Sequence, residues 1–318
     1  MLYNIYCDVI NYFKLQGVRM DNKRLAHVLA ILIMLIWGIS YLSIKVVVLE
    51  INPVLSAFYR FFIASIILFI VLKKKYPDEK ILKEDRIKMA LGGFFGVALY
   101  FFFENYSVLF TSASNVAILI SSIPLFTLII QRIIFKERLT LWKVLGACLS
   151  AAGIVIIIVS KERISLFSKG TLGDMMAIAS ALCWVVYNVI TSRFKGSYKS
   201  ITITTYQGIW GCLFLSPALL FSKLSIPSAK AGINLLFLAV FCSCIAYVMY
   251  IYCLEHLGAT IISTYINLQP IISLISAYLI LKENINLWQI VGSIVIILGV
   301  FMVSFGDKFS RDRFKQLV

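Results

Sequence analysis

Ten long apolar stretches run along the chain, separated by short polar or charged connections. They lie near 27–47, 54–72, 87–107, 112–132, 142–160, 172–192, 202–221, 233–253, 260–281 and 288–305. A helix needs about 20 mostly apolar residues to cross a bilayer. The strands of an outer-membrane barrel need only about ten alternating ones. The pattern therefore predicts an all-α integral membrane protein with ten transmembrane helices.

The stretches fall into two similar sets of five. "IFKERLTLWKVLG" from Ile134 and "ILKENINLWQIVG" from Ile280 align without a gap at a shift of 146. Pro124 matches Pro270, Gly153 matches Gly299 and Tyr106 matches Tyr252 at that shift, while Trp37 matches Trp184 at 147. Five is odd, so the second set enters the membrane from the opposite side. The expectation is a 5+5 inverted-topology repeat, with substrate bound near the midplane between halves. It divides the chain into an N-terminal segment 1–26, a first repeat 27–160, a linker 161–171, a second repeat 172–306 and a tail 307–318. Gly146 and Gly153 recur as Gly292 and Gly299, and "GGFFG" spans Gly92–Gly96. Small residues at such spacing let helices approach closely. The repeated "KERLTLW" and "KENINLW" read as turns into the fifth and tenth spans, with Thr140 and Asn286 as helix caps.

These residues carry a resemblance. "FTSASNVAILISSIPLF" (Phe110–Phe126) followed by "KERLTLWKVLGACLSAAGIVIII" resembles the EamA-type repeat of the drug/metabolite transporter superfamily. So does Leu257–Val300, and "FENYSVLFTSAS" (Phe103–Ser114) is similar to the family's junction between third and fourth spans. The resemblance covers about 27–305. It implies ten helices, an inverted 5+5 repeat and transport of small metabolites, often export. It does not specify the substrate.

Composition agrees with a bilayer: 61% of residues are hydrophobic and mean hydropathy is +0.93. The net charge of +15 sits in short loops, where Lys and Arg set orientation. Of the 30 basic residues, 22 lie on the side of both termini, 7 lie on the other, and Arg60 is inside a span. Both termini are therefore expected in the cytoplasm, with the protein in the cytoplasmic membrane. No soluble basic face exists to bind nucleic acid. Six of the seven cysteines fall within spans, where they act as small apolar residues. Gln16–Met20 can be encoded by a purine-rich ribosome-binding sequence just before an ATG, which makes Met20 the expected start.

Polar groups inside spans are costly and usually face the bundle interior. Glu104, near the end of the third span, is either a proton-coupling carboxylate or a structural partner of Arg60. Arg60 aligns with Gln207, so its charge is not duplicated; it is a candidate for a substrate carboxylate or for an internal pair. Trp37, Ser40 and Tyr41 in the first span correspond to Trp184, Tyr187 and Asn188 in the sixth, as cavity wall or packing. Asn115 with Pro124, and Tyr265, Asn267 and Gln269 with Pro270, place polar side chains beside prolines that kink the helix and free a carbonyl. The two prolines are candidate hinges. Tyr247, with Tyr250 and Tyr252, adds hydroxyls to the eighth span.

The sequence-level expectation is a carrier that moves a small organic metabolite, amino-acid-like or amphipathic, outward by alternating access. No phosphate-binding loop is present, so ATP is not the driver, and no cofactor is implied. The oligomeric state is left open. A channel or receptor-like scaffold is the alternative. An intramembrane enzyme is disfavoured, because it needs a convergent catalytic set, whereas His27 and His256 sit at span ends.

Overall fold

The computed structural model describes residues 21–134, 136, 140–159, 169–222, 227–281 and 287–317. The proposed start at Met20, most of the linker, and the Glu137 and Asn286 turn motifs lie outside them. Among the described residues the chain is helical, with no strand. We number helices in chain order and join segments that continue one another. They are α1 (Asn22–Val48), α2 (Pro53–Lys75), α3 (Lys83–Phe110) and α4 (Ala113–Ile120 with Ile123–Ile134). After them come α5 (Leu141–Val159), α6 (Lys169–Thr191), α7 (Ser200–Leu215) and α8 (Ala229–Leu257). The last two are α9 (Ala259–Tyr265, a tight turn Ile266–Leu268, then Gln269–Leu281) and α10 (Leu287–Leu317).

Among the described residues, seven helices are long and apolar enough to cross a membrane: α1, α2, α3, α4, α6, α8 and α9. Within α5 and α10 the shorter apolar stretches are Leu141–Gly153 and Ile290–Val303. The predicted seventh span, 202–221, is interrupted. It stops at Leu215, and Pro217 precedes a separate turn at Ala218–Phe221. Proline has no N–H to continue the helix and its ring clashes with the preceding turn. Length and composition thus count fewer crossings than the ten expected.

The helices pack in equivalent pairs. α1 lies on α8 and α9, while α6, its counterpart, lies on α3 and α4. α2 packs on α7, and α5 on α10. Three contacts join residues that correspond between the halves. Trp37 and Trp184 meet edge to face with centroids 5.4 Å apart. Ser65 Oγ is 3.9 Å from Cys212 Sγ, and Ser150 Oγ donates to the Ile296 carbonyl at 3.4 Å. Contact between equivalent positions is the pattern produced by an approximate twofold axis.

Glycine sets the α5–α10 crossing. A Cβ on Gly146 would stand 2.7 Å from the Gly299 carbonyl oxygen, and one on Gly153 would stand 2.6 Å from that of Gly292. The pairs run antiparallel and are each other's counterparts, so this interface uses one surface twice. We expect Gly153→Leu to lower the melting temperature of detergent-solubilised protein sharply, since backbone cannot yield cheaply; overpacking costs about 1–3 kcal/mol or more. At Gly232 in α8, an added Cβ would meet nothing within 4 Å. Gly232→Ala should therefore raise the same melting temperature, by roughly 0.4–1 kcal/mol of stability.

Candidate functional site

The regular helices are interrupted around one central cavity. Phe94–Leu99 in α3 and Leu238–Ile245 in α8 are wound as π-helix. These stretches are equivalent between halves. Local π winding releases carbonyls from the usual ladder and is frequent at functional sites. Here the equivalent carbonyls of Gly96 and Cys242 take aromatic donors. Tyr247 OH donates to Gly96 O at 3.0 Å, and Trp37 Nε1 donates to Cys242 O at 3.2 Å.

The kinks expected at Pro124 and Pro270 take another form. α4 breaks at Ser121–Ser122 and α9 tightens at Ile266–Leu268, and each proline is the second residue of the segment that follows. That position lacks an intrahelical N–H bond anyway, so proline starts the helix instead of bending it. Ser121 Oγ donates to the Ala117 carbonyl at 2.9 Å beside the first break.

Most of the predicted residues converge on the cavity. Trp37, Ser40, Tyr41, Arg60, Glu104, Trp184, Tyr247 and Gln269 all line it. Its free volume is ≈ 20 Å³, about the space of one water. Tyr41 OH donates to Gln269 Oε1 at 3.0 Å, and Gln269 Nε2 reaches the Met34 sulfur at 3.6 Å. Trp184 Nε1 donates to Tyr250 OH at 3.0 Å, and that hydroxyl donates to Asn188 Oδ1 at 3.0 Å. Tyr187 is fully buried against Trp184, with centroids 5.0 Å apart.

The two charged groups of the cavity wall do not form a direct ion pair. Arg60 Nε donates to Ser243 Oγ at 2.6 Å, and the guanidinium carbon lies 4.3 Å from the Phe101 ring centroid. A guanidinium gains from such a face. Its terminal nitrogens have no hydrogen-bond partner among the described residues. Glu104 Oε1 accepts from Tyr100 OH at 2.8 Å, while its buried Oε2 has no partner among the described residues. The cavity thus offers one unengaged carboxylate oxygen and one partly engaged arginine, within a ring of aromatics.

Three candidates lie elsewhere. Gln207 sits between α7 and α3, donating to Thr191 Oγ1 at 3.0 Å. Its side chain fills the space over Gly92. Tyr265 OH meets His27 Nδ1 at 2.7 Å, at the start of α1. Asn267 is buried in the tight turn of α9 and does not line the cavity. Asn115 belongs to the first segment of α4, but its side chain lies outside the described residues. Sequence reasoning missed Tyr100, Phe101 and Ser243. Tyr100 carried a usable signal, since it stands one helical turn before Glu104, where residues share a face.

Carboxylates clasp the loops at both ends of the bundle. At one end Asp85, fully buried, accepts from the backbone N–H of Lys195 and Gly196, each at 2.9 Å, from Tyr198 OH at 3.0 Å and from Lys88 at 2.8 Å. Glu79 accepts from Lys199 N at 2.8 Å and Thr202 Oγ1 at 2.7 Å, at the N-terminus of α7, where a helix dipole favours an anion. Lys195 also pairs with Glu84. At the other end Glu50 accepts from Ser228 N at 2.9 Å and Ser228 Oγ at 2.8 Å. The Ser228 backbone and hydroxyl bonds hold the Glu50 carboxyl below its ordinary range.

The long apolar helices define a multi-pass membrane protein, and its similarity to known proteins makes it a transporter. The model of the EamA-like transporter family matches residues 24–159 and again 171–305. The chain therefore belongs to the EamA-like transporter family. A transporter of Archaeoglobus fulgidus is 32% identical over 289 residues, covering 90% of this chain and 98% of the relative. YyaM, a transporter of Bacillus subtilis, is 28% identical over 277 residues, covering 84% and 89%. Both are described as uncharacterised transporters. A crystal structure with 17% identity superposes with a TM-score of 0.73 over 87% of this chain and 97% of that one. That likeness concerns the fold.

Two outcomes follow for the clasps. Asp85→Ala leaves buried N–H groups without an acceptor, so we expect a loss of about 2–3 kcal/mol, read as a lower melting temperature. The lowered Glu50 carboxyl keeps its clasp through neutral pH and loses it as pH falls through that lowered value, below the usual ~4.3. Spin labels at Leu49 and Ala229 should move apart only in that acidic range, and Glu50→Gln should make their separation independent of pH there.

Proposed function

We propose that the protein moves a small amino-acid-like metabolite out of the cell by alternating access. The single observation carrying this reading is the pair of groups in the cavity wall. Arg60 has free terminal donors, and Glu104 Oε2 is buried without a partner among the described residues. A zwitterion satisfies both at once, its carboxylate on Arg60 and its ammonium on Glu104. Charge-assisted bonds of that kind are about twice as strong as neutral ones. Trp37, Trp184, Tyr247 and Tyr41 would border the side chain, and Gln269 its polar edge. Asn188 and Tyr187 stand behind Trp184, while Gln207, Tyr265 and Asn267, expected from the sequence, lie off the cavity wall.

The ≈ 20 Å³ of free space is too small for such a ligand, so binding requires the helices around it to part. In our reading ten helices cross the cytoplasmic membrane as 5+5 inverted repeats, with both termini in the cytoplasm. The clasp at Asp85 and Glu79 then faces inward and the one at Glu50 outward. Opening one while the other holds gives access from one side at a time. The breaks before Pro124 and Pro270 are the hinges. Glu104 serves as the coupling site when it exchanges a proton.

Uptake of labelled amino acids into proteoliposomes, with and without a proton gradient, tests this. Arg60→Gln should weaken apparent affinity for carboxylate substrates roughly 10–100-fold, the worth of one charged hydrogen bond. Glu104→Gln should remove the pH dependence of flux while elution on size exclusion stays unchanged. Flux that never saturates would instead favour a channel, and unaltered pH dependence in Glu104→Gln would take coupling away from Glu104.

A further inference from the structure

A second, larger crevice lies away from the central cavity, at the end of the bundle that carries the α2–α3 and α6–α7 loops. It occupies ≈ 390 Å³ between α2, α7 and α8, within the range of small-molecule pockets. Its floor is apolar: Ile67, Leu68 and Val71 from α2, with Ile245 and Val248 from α8. Its rim is polar and carries both signs of charge, with Lys199 and Glu255 joined by Tyr76 and His256.

The rim is a built structure. Glu79 fixes the Lys199 backbone N–H at 2.8 Å, and Asp85 holds Tyr198 OH at 3.0 Å. The Lys199 ammonium lies 5.9 Å from the centroid of the Tyr76 ring. His256 stacks on Tyr252, with centroids 4.1 Å apart, and its Nδ1 meets the Tyr252 carbonyl at 2.9 Å.

Comparison of the halves shows that this hollow is particular to one of them. At the repeat shifts of 146–147, Ile67, Val248 and His256 correspond to Phe214, Phe102 and Phe110. Lys199 and Glu255 correspond to Asn52 and Leu109. In the equivalent groove bulky rings thus stand where this crevice has smaller or polar side chains. Tyr106 meets Phe102 at a tilt and stacks on Phe110 there, at 5.0 and 5.8 Å. One groove carries aromatic rings at these positions, and the other has its space and a charged rim.

The position chooses the occupant. The crevice and the central cavity share no lining residue, and Cys244 Sγ on the crevice wall donates to the Ala64 carbonyl at 3.5 Å. On α2 its floor is flanked by Ile66 and Ile70, which are exposed on the bilayer-facing surface. The crevice is therefore a lateral continuation of the apolar phase, ending at a charged rim. We propose that it seats one membrane phospholipid, with its phosphate at Lys199, its headgroup amine at Glu255 and one acyl chain along Ile67, Val71 and Val248. The second chain stays in the bilayer. A headgroup with a primary ammonium, as in phosphatidylethanolamine, satisfies both charges.

The test uses the full chain in nanodiscs made from equal parts of phosphatidylethanolamine and phosphatidylglycerol, followed by native mass spectrometry. Wild type should retain one phosphatidylethanolamine in preference to phosphatidylglycerol. Val248→Trp, which fills the floor, should cut the retained fraction roughly tenfold. Lys199→Ala should cut it about fivefold, the worth of one lysine at a lipid phosphate, with elution unchanged. Equal retention by wild type and both variants overturns the proposal, as does preference for phosphatidylglycerol or displacement of the lipid by transported substrate. Arg60→Gln, measured in parallel, should lose transport yet keep the lipid, so failure of the transport reading and failure of this one are separable.

Discussion

Backbone polar groups inside a bilayer must find partners within the protein, because hydrocarbon offers none. The helices meet that requirement over most of their length, and apart from the break before Pro217 in the seventh span their irregular stretches gather in one place. The π stretches of α3 and α8, the break at Ser121–Ser122 and the tight turn at Ile266–Leu268 all border or adjoin the central cavity. The Gly96 and Cys242 carbonyls are satisfied by Tyr247 and Trp37. The same bonds that repair the backbone therefore fix the aromatic walls. A change at either ring disturbs the helix ladder of the opposite half as well as the cavity.

The charged groups are held by a second set of compromises. Burying Arg60 and Glu104 is expensive unless each finds dipoles or rings to replace water. Ser243 and Phe101 serve the cation, and Tyr100 serves the anion. These partners engage only part of each charge. A direct pair would satisfy the two groups against each other and leave little for a ligand. At the cost of stability, the separated arrangement leaves part of each group unengaged, which is what the proposed binding role would use. The clasps at the bundle ends are built differently, from carboxylates that accept the backbone N–H groups and side-chain donors of a loop.

Much of this was legible in the sequence. The apolar periodicity gave the helices, and the repeat gave the correspondence of Trp37 with Trp184, which then meet. The spacing of Gly146 and Gly153 pointed to close helix approach, though not to α10 as the partner of α5. Other features left no local trace. π winding follows from what packs around α3 and α8, and "FFGVAL" reads as ordinary apolar helix. Gln207 corresponds to Arg60 but turns to Thr191, because Gly92 leaves room for it on the other side. Tyr265 pairs with His27, 238 positions away, which no window reveals. At Pro124 and Pro270 the sequence shows the missing N–H but not which segment it belongs to, so the start of a helix looks like a kink.

The charge asymmetry between the halves has an electrical consequence. Arg60 stands opposite a neutral Gln207 in the repeat, and Glu104 opposite Tyr250. Moving one elementary charge through the membrane field is worth about 2.3 kcal/mol per 100 mV. With both side chains charged, the cavity wall is neutral as a unit, and membrane voltage does little work on it as the helices rearrange. A proton on Glu104 leaves the wall with one positive charge. Under the proposed alternating access, the same voltage would bias which way the cavity faces, so one carboxyl group would decide whether the protein feels the membrane potential.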